Sequence, residues 1–92
     1  MSKPTTSQPL YTEDELKRLS WQCRRGIKEV EVLLAPFFEK HFSDLSEQDQ
    51  KLFVALLDEQ DVEMFEWFTL RAEPADPDMK HIVNVILTRL AS

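Results

Sequence analysis

The sequence predicts an all-α protein, a small five-helix bundle that forms a single domain. Apolar residues recur at three- and four-residue steps along most of the chain, which is the period of an amphipathic helix. No segment alternates apolar and polar residues for long enough to indicate a strand. The 92 residues are 42% hydrophobic, so they can build one modest core. Residues 1–11 are polar and contain two prolines, and we expect a disordered lead ahead of a helical domain over residues 12–92.

The first two predicted helices meet at Gly26, the only glycine of the chain. Thr12 and Glu15 have capping-box spacing, so the first helix begins there and runs to about Arg25. The second helix follows the glycine, and Pro36 inside it predicts a kink or a break. The apolar positions of this second helix, which place it near the centre of the core, are Ile27, Val30, Leu34, Phe37, Phe38 and Phe42.

Three shorter helices complete the predicted bundle. Ser46, followed three residues later by Asp49, opens the third helix. The polar corner at residues 58–61 caps a short fourth helix over about 62–70, and the Asp-Pro-Asp sequence at 76–78 starts the fifth. The residues expected to face inward are Leu52, Phe53, Leu56 and Leu57, then Val62, Phe65 and Phe68 with Met64 and Trp67 beside them, and finally Met79, Ile82, Val83, Ile86 and Leu90.

The charges predict an acidic body with one basic corner. The net charge is −6, which argues against a general nucleic-acid binder because phosphate affinity comes from cations. A small helical nucleic-acid binder that uses the basic corner is therefore a disfavoured alternative. Residues 29–80 carry 14 acidic and four basic residues. Five of the 11 cations lie within 12 positions around the glycine, where they can orient an encounter with an acidic partner: Lys17, Arg18, Arg24, Arg25 and Lys28.

The apolar runs, the start of the chain and the cysteine count favour a cytoplasmic protein without membrane insertion. Apolar runs such as residues 32–35 are too short to cross a bilayer. The start of the chain resembles neither a signal peptide nor a transit peptide. A single cysteine cannot form an internal disulfide, which fits a reducing compartment.

Residues with reactive side chains do not form the constellation of an enzyme. Cys23, the only thiol, lies on the apolar stripe of the first helix, so we expect it to pack in the core. His41 and His81 lack the spaced partners of a metal site. One glycine cannot build a phosphate-binding loop. We therefore expect no catalytic residue, no metal and no stably bound cofactor.

Two features near the corner each allow two interpretations. Trp21 lies about 140° around the helix from Leu16, with Arg18 and Arg25 as its helical neighbours. It either covers the flank of another helix with the arginines over it, or forms an exposed Trp/Arg binding anchor. Gly26 is either a C-terminal helix cap or an open corner that lets another backbone approach.

The residues around the corner resemble the succinate dehydrogenase flavinylation factor family. The resemblance rests on Trp21-x-Cys23-Arg24-Arg25-Gly26-x-x-Glu29, followed by Pro36-Phe37-Phe38. The core motif of that family, Arg-Gly-x-x-Glu, is present as residues 25–29. The acidic corner before a Phe-x-Trp helix at 58–67 and the Pro-Ala-Asp loop at 74–76 extend the resemblance over about residues 12–90. The sequence departs from the family pattern at 60–62, where Gln-Asp-Val replaces an expected Asp-Pro pair.

The resemblance implies an assembly chaperone. Family members bind the immature flavoprotein subunit of succinate dehydrogenase, and in bacteria that of fumarate reductase, and promote covalent attachment of FAD to a histidine of that partner. The FAD would therefore belong to the partner. The absence of a transit peptide favours a bacterial member. Some bacterial members have been labelled antitoxins, so an interaction module that opposes a toxin is the alternative.

The resemblance also implies which residues bind the partner. Gly26 would let the corner approach the partner backbone, and Arg25 would offer planar bidentate donors. Glu29 would orient those donors or accept a donor from the partner. The flanking residues expected on the same surface are Arg24, Trp21, Arg18 and Lys28.

Overall fold

Five α-helices make up the fold, as the sequence predicts. The structure is a computed structural model that describes residues 10–91, so most of the predicted lead lies outside the described residues. The described part contains no strand and no helix long and apolar enough to cross a membrane. The helices are Glu13–Gln22 (α1), Lys28–His41 (α2), Glu47–Leu56 (α3), Asp61–Phe68 (α4) and Pro77–Ala91 (α5), and a 3-10 turn over Phe42–Asp44 joins α2 to α3.

Three helices begin at the side-chain caps that the sequence predicts. The Thr12 hydroxyl accepts from the Glu15 amide at 3.1 Å, and the Glu15 carboxylate accepts from the Thr12 amide at 2.8 Å. The Ser46 hydroxyl accepts from the Asp49 amide at 3.2 Å. Asp76 accepts from the amide two residues further on at 2.8 Å. Such caps each stabilise a helix by about 1 kcal/mol, which explains why local sequence fixes these starts.

Two helix ends and one helix interior differ from the prediction. α1 ends at Gln22 instead of Arg25. Gly26 lies beyond that end and has no positive φ, so its interpretation as a helix cap is wrong. α2 continues as one helix through Pro36, so of the expected kink or break, the break is wrong. α4 ends at Phe68, two residues early, because the chain turns at Leu70.

The core is built around α2, which contacts α1, α4 and α5. Val30, Leu34 and Phe37 of α2 have no exposed surface. Phe37 stacks on Phe53 of α3 with the ring centroids 5.5 Å apart. The buried residues that the prediction correctly placed inside on α3 and α5 are Phe53, Leu56, Leu57, Met79, Ile82, Val83 and Ile86.

The inward face of α4 is rotated relative to the predicted face. Met64 and Trp67 are buried, together with Phe68. Val62, predicted to face inward, is 55% exposed, and Phe65 is half-buried. α4 has only eight residues and carries apolar side chains on most of its circumference, so periodicity alone leaves the buried face ambiguous.

α4 ends in a Schellman motif with leucine at the position that usually holds glycine. The Leu70 amide donates to the Trp67 carbonyl at 3.2 Å, and the Arg71 amide donates to the Glu66 carbonyl at 2.9 Å. Leu70 has φ 63°, the left-handed region in which a Cβ is unfavourable, and its side chain is 79% exposed.

Replacing Leu70 with glycine is expected to stabilise the protein by about 0.5–1 kcal/mol, because relief of the left-handed strain exceeds the added entropy of the unfolded chain. Urea unfolding measures the change. Leu70→Ala is the matched control: it removes the same exposed side chain, keeps the Cβ, and should not stabilise. A glycine variant less stable than the alanine variant would contradict this account of the turn.

Candidate functional site

Arg25 joins the α1–α2 loop to the α3–α4 loop through its side chain. Its Nε donates to Asp61 Oδ1 at 2.6 Å, and its Nη2 donates to the Glu59 carbonyl at 2.8 Å. Its Nη1 donates to the carbonyls of Gln22, at 2.8 Å, and Leu57, at 3.1 Å. Four of the five guanidinium N–H groups are therefore used within the molecule. Only 14% of the Arg25 side chain is exposed.

The Asp61 carboxylate holds two consecutive motif residues at once. While its Oδ1 pairs with Arg25, its Oδ2 accepts from the Gly26 amide at 2.9 Å. Burial raises the pKa of Asp61, but the hydrogen bonds from Arg25 and Gly26 and the charge of Arg25 outweigh it, so the pKa lies below its ordinary value of 3.8. The carboxylate is therefore charged at neutral pH. We call Arg25, Gly26 and Asp61 together the corner clamp.

Glycine at position 26 is explained by the close approach of Asp61. Gly26 has no positive φ, so left-handed freedom is not what this position requires. A Cβ built on Gly26 would lie 3.3 Å from Asp61 Oδ2, closer than ordinary packing. The group that lies close to Gly26 is therefore this protein's own Asp61 carboxylate, and not the partner backbone that was expected there.

Trp21 is exposed beside the clamp. Its side chain is 68% exposed, so the interpretation that it covers another helix is wrong. The Arg24 guanidinium lies 4.9 Å from the centroid of the Trp21 ring, a cation–π distance. The arginine that accompanies Trp21 is therefore Arg24, and not Arg18 or Arg25. The geometry is that of an exposed Trp/Arg pair.

The remaining predicted site residues are exposed and available. Arg18, Lys28 and Glu29 lie on the surface, and none of them forms an ion pair within residues 10–91. Glu29 forms no hydrogen bond or ion pair with the Arg25 side chain within residues 10–91, and Asp61 orients that side chain instead. Of the two roles expected for Glu29, the one compatible with this geometry is to accept a donor from a partner.

Comparison with known proteins places the chain in one family. A family model described as "Flavinator of succinate dehydrogenase" matches residues 17–90. The chain belongs to this flavinator family. It is 46% identical over 78 residues to the FAD assembly factor SdhE of Pseudomonas aeruginosa, covering 85% of this chain and 93% of that protein. It is 44% identical over 81 residues to the protein of that name from Pseudomonas putida, covering 88% and 96% respectively. For the Serratia protein of that name, identity is 40% over 76 residues, covering 83% and 86%.

Asp61 is a residue of the candidate site that the sequence analysis did not single out. The prediction made it part of a polar corner that caps α4, but the N-cap is Gln60, which makes no side-chain cap hydrogen bond. The Asp61 side chain reaches instead to residues 35 and 36 positions earlier. Asp58 and Glu59 offer carboxylates in the same loop, so the sequence has no signal that singles out Asp61.

The cysteine and the two histidines have separate surroundings in the described structure. Cys23 has no exposed surface, and burial raises the pKa of its thiol to about 12, so it packs as predicted. His41 packs against Phe37, and His81 pairs with Asp49 at 2.9 Å. Within residues 10–91 no three metal-ligating side chains lie together.

Acidification is expected to remove the stabilisation that Asp61 provides. Because the pKa of Asp61 is lowered in the folded state, its contribution is fully present above the unfolded-state pKa and is lost as pH falls through the folded-state pKa. Asp61→Asn should therefore reduce the free energy of unfolding by about 1.5–3 kcal/mol at pH 7, the range for hydrogen bonds to a charged group. The difference from the unsubstituted protein should shrink on acidification below pH 3.8, measured by urea unfolding. A difference that grew on acidification would contradict the assigned charge state.

Proposed function

We propose that this protein is an assembly factor that binds the immature flavoprotein subunit of succinate dehydrogenase and promotes covalent attachment of FAD to it. The family match over residues 17–90 carries this proposal, because it spans the corner and its motif residues. The flavoprotein of fumarate reductase is a second client under the same proposal. We place the protein in the cytoplasm, where both clients would be met before assembly.

The proposed mode of action is binding and not catalysis. The FAD is held by the partner, and a histidine of the partner forms the covalent bond. This protein would hold the partner in a conformation in which that histidine reaches the flavin. The clamp supports such a role, because its hydrogen bonds hold the backbone at Gly26 within the molecule, without a contact from a partner.

The proposed contact surface consists of the exposed residues around the clamp. Gly26 is exposed, with its amide already bonded to Asp61, and Glu29 presents a carboxylate free to accept a partner donor. Trp21 and Arg24 supply an aromatic ring and a cation of the kind that dominates binding energy at interfaces. With Arg18 and Lys28, this surface is basic on an acidic protein, so it fits an acidic patch of the client.

Removing the protein is expected to abolish most covalent flavin on the succinate dehydrogenase flavoprotein, seen as lost in-gel flavin fluorescence of the denatured subunit. The unsubstituted chain should restore the signal. Gly26→Arg should not, because its side chain occupies the contact surface, while helicity is retained. Ala75→Arg is the matched control: it adds the same side chain at an exposed position in the loop before α5, and it should restore the signal.

An unchanged flavin signal without the protein would overturn the proposed function. The toxin-opposing alternative would then be favoured. A Gly26→Arg variant that simply unfolded would show that position 26 acts through stability, and circular dichroism on the purified variant distinguishes this outcome.

Trp21→Ala is expected to weaken binding to the flavoprotein subunit by about 2 kcal/mol, roughly 30-fold, with little change in stability. The reason is that its largely exposed ring contributes to the surface and little to the core. Arg24→Ala should weaken binding and reduce its salt dependence. Isothermal titration calorimetry at two salt concentrations measures both. Arg89→Ala, an exposed cation at the end of α5, is the control and should bind as the unsubstituted chain does.

A further inference from the structure

Asp61 lies outside the Arg-Gly-x-x-Glu motif, yet it determines how that motif is held. We propose that Asp61 is the positioning residue of the partner-binding corner and that Arg25 acts through it, from inside the molecule. This inference rests on the proposed function and assigns to the site a residue that the motif does not contain. Arg25 and Asp61 are then internal parts of the corner, and Gly26 and Glu29 face the partner.

The two oxygens of Asp61 accept hydrogen bonds from two different motif residues. Oδ1 accepts from Arg25 Nε at 2.6 Å, and Oδ2 accepts from the Gly26 amide at 2.9 Å. Both neighbours are N–H donors, so only a group with two acceptor oxygens satisfies both. One carboxylate therefore fixes both the side chain of one motif residue and the backbone of the next.

Most of the Arg25 side-chain donors are already bonded inside the molecule. Three further hydrogen bonds to the carbonyls of Gln22, Leu57 and Glu59 leave one guanidinium N–H unassigned. The side chain is 14% exposed, and Arg24 next to it is exposed. A bidentate contact from Arg25 to a partner would require it to break bonds that tie two loops together. Arg25 is better placed to hold the corner than to bind across it.

The start of α2 connects the clamp to Glu29. The N-cap of α2, Ile27, makes no side-chain cap hydrogen bond. The two residues before it are held instead, since the Arg25 amide donates to Glu31 Oε1 at 3.1 Å and the Gly26 amide donates to Asp61. The direction in which the first turn of α2 leaves the corner therefore depends on Asp61, and Glu29 lies in that first turn.

Asp61→Asn tests the proposal with an isosteric change. An amide offers one oxygen, so its NH2 group must face either Arg25 Nε or the Gly26 amide, and one bond of the clamp is lost. Asp58→Asn is the matched control: it lies in the same loop, is exposed, and makes the same change in net charge. Both variants are compared with the unsubstituted chain for affinity to the purified flavoprotein subunit and for support of flavinylation.

A direct readout of the clamp is available because Gly26 is the only glycine. Its amide is a unique glycine signal in the proton–nitrogen correlation spectrum and reports the bond to Asp61. We expect Asp61→Asn to shift this signal, to lower affinity and flavinylation support by roughly tenfold or more, and to stay folded. Asp58→Asn should leave all three readouts unchanged.

A shifted Gly26 signal with unchanged affinity and flavinylation would overturn the positioning role while leaving the proposed function intact. Failure of the unsubstituted chain itself to bind or support flavinylation would overturn the proposed function and, with it, this inference. If Asp61→Asn does not fold, Asp61→Glu replaces it, because it keeps both oxygens and the charge. That variant is expected to fold and to bind with intermediate affinity, and affinity equal to that of the unsubstituted chain with a shifted Gly26 signal would overturn the proposal.

Discussion

The partly buried ion pair between Arg25 and Asp61 is the interaction on which the candidate site depends. A guanidinium that is largely withdrawn from water requires compensation, and here one carboxylate and three backbone carbonyls supply it. Those carbonyls lie at the end of α1 and between α3 and α4, and the Gly26 amide completes the arrangement. One charged pair thus links the α1–α2 loop to the α3–α4 loop, which are remote in sequence.

The residues exposed at the candidate surface are different from the residues that hold that surface in place from inside the molecule. Trp21, Arg24, Lys28 and Glu29 are exposed and contribute little to the core. Arg25 uses four of its five guanidinium N–H groups internally, and both oxygens of Asp61 accept internal donors. The Arg-Gly-x-x-Glu motif contains residues of both groups. Loss of function on substituting a motif residue therefore does not by itself show whether that residue touches a partner or holds the surface in place.

The sequence allowed most of the fold to be predicted because the deciding signals are local. Thr12, Ser46 and Asp76 cap helices within two or three residues of themselves, and the stripe on α5 is regular. The clamp could not be predicted, because it depends on where folding brings two loops, and Asp61 competes with other acids in its own loop. The exposure of Trp21 was equally undecided, since helical spacing fixes its direction but not whether another helix covers it.

The ordinary backbone conformation of Gly26 has a consequence for the unfolded chain. A glycine widens the range of conformations that the unfolded state samples, so ordering it costs up to about 1 kcal/mol more than ordering alanine. Gly26 carries this entropic cost without using the left-handed region that glycine alone adopts easily, since its φ is not positive. It is lost when the chain folds and the amide meets Asp61. A binding partner therefore encounters a corner whose disorder has already been removed, and the entropy of association is correspondingly less unfavourable.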